Sequence, residues 1–261
     1  MCYNHTNKTK GVALKLTIIG NGSMAQALAN GLYKSYELEF MIRDLSQAAF
    51  LQERYNTTTI PIKNGDIEGK NILLCIKPYA LNEVGTALHG KARSLYSILA
   101  GTPLESLRNA ISSNYTIRAM PNVAASIAQS ATTLTGDEAL KQEAIALFDS
   151  IGKTLWVDSE KKLDIATAIA GSGPAFLALI AEAMMDGGVL EGLSRDESMQ
   201  LVESLFGGFS SLLATKHPAL IKDSVMSPAG TTAAGYRALE KRGVRDAMIK
   251  AIHEAFRVTQ R

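Results

Sequence analysis

Cysteine is nearly absent from this 261-residue chain. Only Cys2, in a polar tail, and Cys75, in an apolar run, occur; that excludes a disulfide framework and suits a cytoplasmic, reducing setting. Charge of one sign is not in excess: 27 Lys and Arg against 25 Asp and Glu leave a net charge of +2, so no nucleic-acid partner is suggested. His5, His89, His217 and His253 are scattered without metal-ligand spacing, and neither a metal site nor a Ser-His-Asp arrangement stands out. Met1 to Gly11 lacks the apolar centre of a signal peptide. Residues 1–13 are read as a disordered N-terminal extension. Ile165 to Ala181 is uncharged, yet Gly171-Ser172-Gly173-Pro174 interrupts it and Glu182 and Asp186 follow. A buried central helix is expected there rather than a membrane span.

What the chain does have begins at Leu14. Leu14, Leu16, Ile18 and Ile19 form an apolar, β-prone run that stops at Gly20-Asn21-Gly22-Ser23-Met24-Ala25, a Gly-x-Gly-x-x-Ala pattern. The first glycine permits a tight strand-to-helix turn. The second lets backbone approach a pyrophosphate, and the small Ala25 lets helix and strand pack closely. Amides at the helix start then face the phosphates. A helix through Leu32 and a second strand, Leu38 to Ile42, complete a βαβ unit. Arg43 and Asp44 follow that strand. Arg43 suits the 2′-phosphate of NADPH, whereas Asp44 suits a free ribose hydroxyl; NADPH is the preferred cofactor and NADH stays open.

The βα alternation continues with a helix over Leu45 to Arg54 and strands at Thr57 to Ile60, Asn71 to Ile76, Ser94 to Leu99, Tyr115 to Ala119, Ser130 to Leu134 and Thr154 to Val157. Carboxyl ends of such strands line the ligand crevice, which puts Cys75, Ile76, Lys77 and Pro78 near a cofactor. Thr102-Pro103 reads as an N-cap followed by proline at the first helical position. Asn122, after Met120-Pro121, offers an amide to a nicotinamide carboxamide, with a plain turn asparagine as the alternative. The fold class is therefore α/β: a Rossmann-type dinucleotide-binding domain over residues 14–158, then an all-helical domain over 159–261.

In the helical part, Ser194 and Glu197 spell a capping box. The pairs Gly187-Gly188 and Gly207-Gly208 suggest turns or close helix contacts, as in a tightly packed dimer core. Ser227-Pro228-Ala229-Gly230-Thr231-Thr232 puts hydroxyl residues at a helix start, where free amides suit a substrate carboxylate; simple N-capping is the alternative. An alcohol dehydrogenase needs a general acid or base near the reacting oxygen, and these motifs offer only hydroxyls. Reduction of an imine asks less, because a protonated C=N already draws hydride.

Taken in order, Gly20 to Ala25, Cys75-Ile76-Lys77-Pro78, Ser97 to Gly101, Arg118-Ala119-Met120-Pro121-Asn122, Gly171 to Ala175 and Ser227 to Thr232 resemble the motifs of the pyrroline-5-carboxylate reductase family. The resemblance spans Leu14 to about Thr259. It implies NAD(P)H-dependent hydride transfer to the cyclic imine 1-pyrroline-5-carboxylate, giving L-proline in the last step of proline biosynthesis. It also implies that Gly22, Ser23, Met24 and Ala25 hold the pyrophosphate, with Gly20 of the same turn among the cofactor-binding residues, that Arg43 lies by the adenosine phosphate, and that Ile76, Lys77, Pro78 and Asn122 flank the ribose and nicotinamide. Amides of Gly230, Thr231 and Thr232 would hold the substrate carboxylate, the Thr232 hydroxyl would bond the ring nitrogen, and Val225 and Ser227 would lie nearby. A homodimer or higher homo-oligomer is implied, and the resemblance assigns dimerisation and substrate binding to the all-helical domain. Ala229 departs from the glycine usual there. A β-hydroxyacid dehydrogenase would need a lysine on the central helix, where Ser172 and Pro174 stand.

Overall fold

The computed structural model describes residues 14–260, and the expected N-terminal extension, residues 1–13, lies outside them. The chain forms two compact units: one reaches to Gly171 and takes in the last residues from Val258, the other is Ser172–Arg257.

The first unit is built on an eight-stranded sheet with order β10-β9-β8-β7-β5-β1-β2-β3. Its strands are β1 (Lys15–Ile19), β2 (Glu37–Ile42), β3 (Thr58–Pro61), β5 (Asn71–Leu74), β7 (Ala92–Ser97), β8 (Ser113–Met120), β9 (Ser130–Gly136) and β10 (Gly152–Trp156). All neighbours pair parallel except β8 with β9. The two-residue strands β4 (Gly65–Asp66) and β6 (Leu88–His89) form a separate ribbon.

Residues of the central strands are buried on both faces, as parallel strands covered by helices require. Leu16 and Ile18 of β1 face one core with Phe40 and Leu73, while Ile19 faces the other with Met41, Ile72 and Leu74. The alternation follows the two-residue repeat of a strand. Helix α1 (Ser23–Leu32) buries Ala25, Leu28, Ala29 and Leu32, one face at helical spacing. Each such leucine contributes about 1.5–3 kcal/mol by leaving water. Connecting helices α2 (Ala48–Tyr55), α3 (Leu81–Ala87), α4 (Leu104–Ala110) and α5 (Lys141–Asp149) cover the sheet.

Helix α6 (Glu160–Ala166) packs with this first compact unit, which reaches to Gly171. The physical reason is Arg118. This side chain, 2% exposed on β8, is bonded to Glu160 and Asp164, each at 2.8 Å. Glu160 also accepts the Leu104 amide at 2.8 Å, so one carboxylate joins α6, α4 and β8.

In the second unit, α7 (Gly173–Leu190) packs against α8 (Arg195–Leu213), and α9 (Pro218–Ser224), α10 (Thr231–Lys241) and α11 (Val244–Thr259) follow. The Ser194 and Glu197 capping box forms as expected. Gly188 lies inside α7, where a Cβ would come 2.5 Å from the Ser198 hydroxyl, so this glycine serves a close helix contact and not a turn. Helix α9 was not apparent from the sequence. The expected buried central helix is a second difference: α7 has no buried residue. Leu177, Leu179, Met184 and Leu190 are exposed because α8 covers only part of α7. The helical run Glu160–Leu190 is long and apolar enough to cross a membrane by length and composition, although a π-turn at Thr167–Gly171 lies within it.

Loss of Arg118 leaves Asp164 buried without its cation. Arg118→Ala is expected to lower the unfolding free energy by about 3 kcal/mol. Lys162→Ala, which breaks the exposed pair with Asp158, should change it by less than about 0.5 kcal/mol. Urea denaturation of both variants checks the contrast.

Candidate functional site

At Gly20 the chain leaves β1 with φ of +107°, a backbone region that excludes ordinary side chains. A Cβ there would also stand 2.5 Å from the Cys75 carbonyl oxygen. The turn therefore lies tight against the end of β5. Two residues on, Gly22 is the N-cap of α1 and has nothing within 4 Å of where its Cβ would be. Open space stands before its backbone. The first intrahelical bond runs from Gln26 N to Gly22 O at 3.0 Å, so the amides of Ser23, Met24 and Ala25 have no intrahelical acceptor. The first turn of α1 carries no acidic residue. These features fit a dinucleotide pyrophosphate: donors, a favourable helix dipole and a space that a Cβ would fill.

The turn opens into a cavity of about 730 Å³ at the switch point between β1 and β5. Gly20, Gly22, Ser23, Met24, Ala25, Arg43, Ile76, Lys77 and Pro78 all line it. Lys77 stands at the N-cap position of the 3-10 turn Pro78–Ala80, with proline at its first position. Cys75 also lines the cavity, but burial pushes its thiol pKa well up, so it is a neutral thiol and not a nucleophile. Among the described residues no group of three His, Cys, Asp or Glu is placed to hold a metal ion.

Arg43 is exposed on the cavity wall, with Nη1 3.4 Å from Glu83 Oε1. Asp44 is turned into the backbone: it caps the turn Leu45–Gln47 by accepting the Ser46 amide at 2.9 Å. That bond holds its carboxyl below the usual range. Lys63, Tyr79, Glu83 and Val84 complete this end of the cavity and were missed in the sequence. Lys63 was findable, since it follows β3 and carboxyl ends of strands face the crevice. Thr102 does not cap α4 as expected. Pro103, extended at ψ 155°, is the N-cap, and the Thr102 hydroxyl donates to the Ala100 carbonyl.

Asn122 lies outside the cavity lining. Its Oδ1 accepts the Ala124 amide at 3.1 Å, and its Nδ2 donates to the Ala170 carbonyl at 3.0 Å. The second bond has a clear cause. In a regular helix the Ala170 carbonyl would accept from residue 174, which is Pro174 and has no N–H. Asn122 supplies the missing donor.

In the second unit, the expected anion-binding residues come together at the start of α10. Gly230 is its N-cap, with no side-chain cap and no acidic residue in the first turn. Gly230 N donates to Ser227 O at 3.0 Å, closing the loop, and Ala234 N donates to Gly230 O. Amides of Thr231, Thr232 and Ala233 thus have no intrahelical acceptor. Val225, at the end of α9, and the Ser227, Thr231 and Thr232 side chains are exposed beside them.

Comparison with known proteins places these features in context. Residues 160–261 match a family model described as pyrroline-5-carboxylate reductase dimerisation, and residues 15–101 match one described as NADP oxidoreductase, coenzyme F420-dependent. A pyrroline-5-carboxylate reductase of Helicobacter pylori is 38% identical, covering 92% of this chain and 96% of that protein. The crystal structure of the Streptococcus pyogenes enzyme shares 31% identity, with TM-score 0.84 over 95% of this chain and 98% of that one. A Plasmodium falciparum pyrroline carboxylate reductase with NADP bound shares 26%, with TM-score 0.79 over 94% and 98%.

Two pairs of variants test these geometries. Gly20→Ala should destabilise the protein by at least about 2 kcal/mol. Gly22→Ala should fold with nearly unchanged melting temperature yet weaken dinucleotide binding, read by calorimetric titration. Asn122→Ala should cost about 1–2 kcal/mol. In a Pro174→Ala background, where residue 174 regains its N–H, that cost should shrink to a few tenths of a kcal/mol. Equal costs in both backgrounds would show that the Ala170 carbonyl is not the reason for Asn122.

Proposed function

From the pyrroline-5-carboxylate reductase family, to which this chain belongs, we propose the details of its reaction: hydride transfer from NADPH in preference to NADH onto the C=N bond of 1-pyrroline-5-carboxylate, giving L-proline. One chain carries both a crevice that fits a dinucleotide phosphate and a helix start, free of acidic residues, that fits a small carboxylate; this pairing is the observation that carries the reading.

The bound nicotinamide supplies the hydride. The chain's own residues bind and orient. Amides of Ser23 to Ala25 hold the pyrophosphate, Gly20 and Gly22 leave room for it, and Arg43 pairs with the 2′-phosphate. Ile76, Lys77 and Pro78 border the ribose and nicotinamide. Asn122 braces the π-turn at Thr167–Gly171 through the Ala170 carbonyl. Amides of Thr231, Thr232 and Ala233 take the substrate carboxylate, with Ser227 and Val225 beside it; the Gly230 amide, expected to join them, is held on the Ser227 carbonyl and serves the loop instead. The Thr232 hydroxyl oxygen accepts a hydrogen bond from the protonated ring nitrogen and orients it. No general base is required, because a protonated imine already carries the charge that hydride neutralises. The Asp44 carboxylate is held on the Ser46 amide.

The chain carries a dimerisation segment, and the exposed apolar residues of α7 suit a homo-oligomer. We take a homodimer in the cytoplasm as the working unit, which the one described cysteine, buried and unpaired, also suits.

Purified protein mixed with pyrroline-5-carboxylate is expected to oxidise NADPH faster than NADH and to release proline. Arg43→Ala should lower kcat/KM for NADPH by roughly tenfold or more and leave the NADH value within about twofold. Tight NADPH binding without oxidation in the presence of the imine would overturn the reading.

A further inference from the structure

The adenosine end of the cavity holds two carboxylates and two cations. Glu83 faces Arg43 at 3.4 Å, and Asp44 caps the Ser46 amide. Arg43 alone against those two acids would leave this end net negative. A 2′-phosphate carries close to two negative charges near neutral pH, so such a wall would repel it. Lys63 brings this end to formal neutrality before the cofactor enters. It lines the same cavity, its side chain is exposed, and among the described residues no carboxylate lies within ion-pair distance of it.

Its place is fixed by the fold. β2 and β3 pair in parallel, with Ile42 opposite Pro61, and the Ile62 amide continues the ladder to the Ile42 carbonyl at 3.0 Å. Arg43 and Lys63 therefore leave adjacent strand ends on the same edge. A tight turn holds Lys63: Gly65 N donates to Ile62 O at 2.9 Å, and Asn64 sits at φ +57°. The pair between Arg43 and Glu83 is long and exposed, so it is weak and open to exchange.

Resting on the NADPH-dependent reading above, we propose that Lys63 is the second cation of the 2′-phosphate seat and that Glu83, by holding Arg43, limits how strongly NADPH is preferred over NADH. The phosphate takes Arg43 from Glu83 and gains Lys63. A cofactor ending in a free 2′-hydroxyl does neither.

Titration of cofactor fluorescence, with NADPH and NADH separately and no imine present, reads this seat directly. Lys63→Ala should raise the NADPH dissociation constant roughly tenfold and lower the ratio of NADPH to NADH affinity by a similar factor. Lys63→Arg should restore most of the ratio. Glu83→Gln should move the ratio the other way, by roughly threefold. Raised salt should erode the wild-type ratio more than that of Lys63→Ala. A Lys63→Ala ratio equal to wild type, or equal weakening of both cofactors, would overturn the proposal. If wild type binds NADPH with the expected ratio changes but leaves pyrroline-5-carboxylate unreduced, the assigned reaction fails and the seat stands. If it reduces the imine and the ratio ignores Lys63, the seat fails and the reaction stands.

Discussion

The approach of Gly20 to the Cys75 carbonyl is the constraint on which the crevice depends. With φ at +107° and a would-be Cβ 2.5 Å from that oxygen, only glycine brings the end of β1 this close to the end of β5. Because β1 is flanked by β5 and β2, the same turn sets three things at once. Helix α1 starts with its free amides over the switch point, Ile76 to Pro78 emerge on one side, and Arg43 emerges on the other. A parallel sheet with its strand order reversing at β1 makes this the natural place for a dinucleotide.

Much of this was legible in the sequence because it rests on local rules. The Gly-x-Gly-x-x-Ala turn, the apolar strands and the capping box at Ser194 and Glu197 each involve residues near one another in the chain, so spacing alone reveals them. Glu83 was not legible in that way, and Lys63 only as a residue past the carboxyl end of a strand. Lys63 comes beside Arg43 because β3 pairs with β2, and Glu83 reaches the cavity from α3, long-range facts that spacing alone does not record. Asp44 shows the same limit at shorter range. The sequence places an acid beside Arg43, but only the structure shows its carboxylate bonded to the Ser46 amide.

Arg118 and Asn122 show how one motif can act at a distance from the ligand. Both follow or lie in β8, and both act on the segment from Glu160 to Gly171. Arg118 ties α6 to the sheet through Glu160 and Asp164, and Asn122 satisfies a carbonyl that Pro174 cannot. A turn asparagine was the plain alternative for Asn122. The structure gives it a turn bond and a second task, and both ends of its amide are engaged. The uncharged stretch after Ile165 misled for a related reason: composition reports that a helix is apolar, not what covers it. For α7, α8 covers one side, and the dimerisation match gives the remaining apolar surface a physical purpose.

Ala229 stands where the backbone least favours a side chain. Its φ is +58°, in the left-handed region, which costs an alanine about 1–2 kcal/mol relative to its preferred conformations. The loop keeps that conformation because the Gly230 amide donates to Ser227 and because Gly230 itself must stay bare, a Cβ there lying 2.4 Å from the Ser227 hydroxyl. Pro228 fixes the preceding φ and narrows the alternatives further. The turn is therefore over-determined by its neighbours, and that is the condition under which a strained residue persists. What the loop delivers is the orientation of three amides at the start of α10. A methyl group is tolerated at Ala229 because the geometry of those amides, not the identity of that side chain, makes the anion seat.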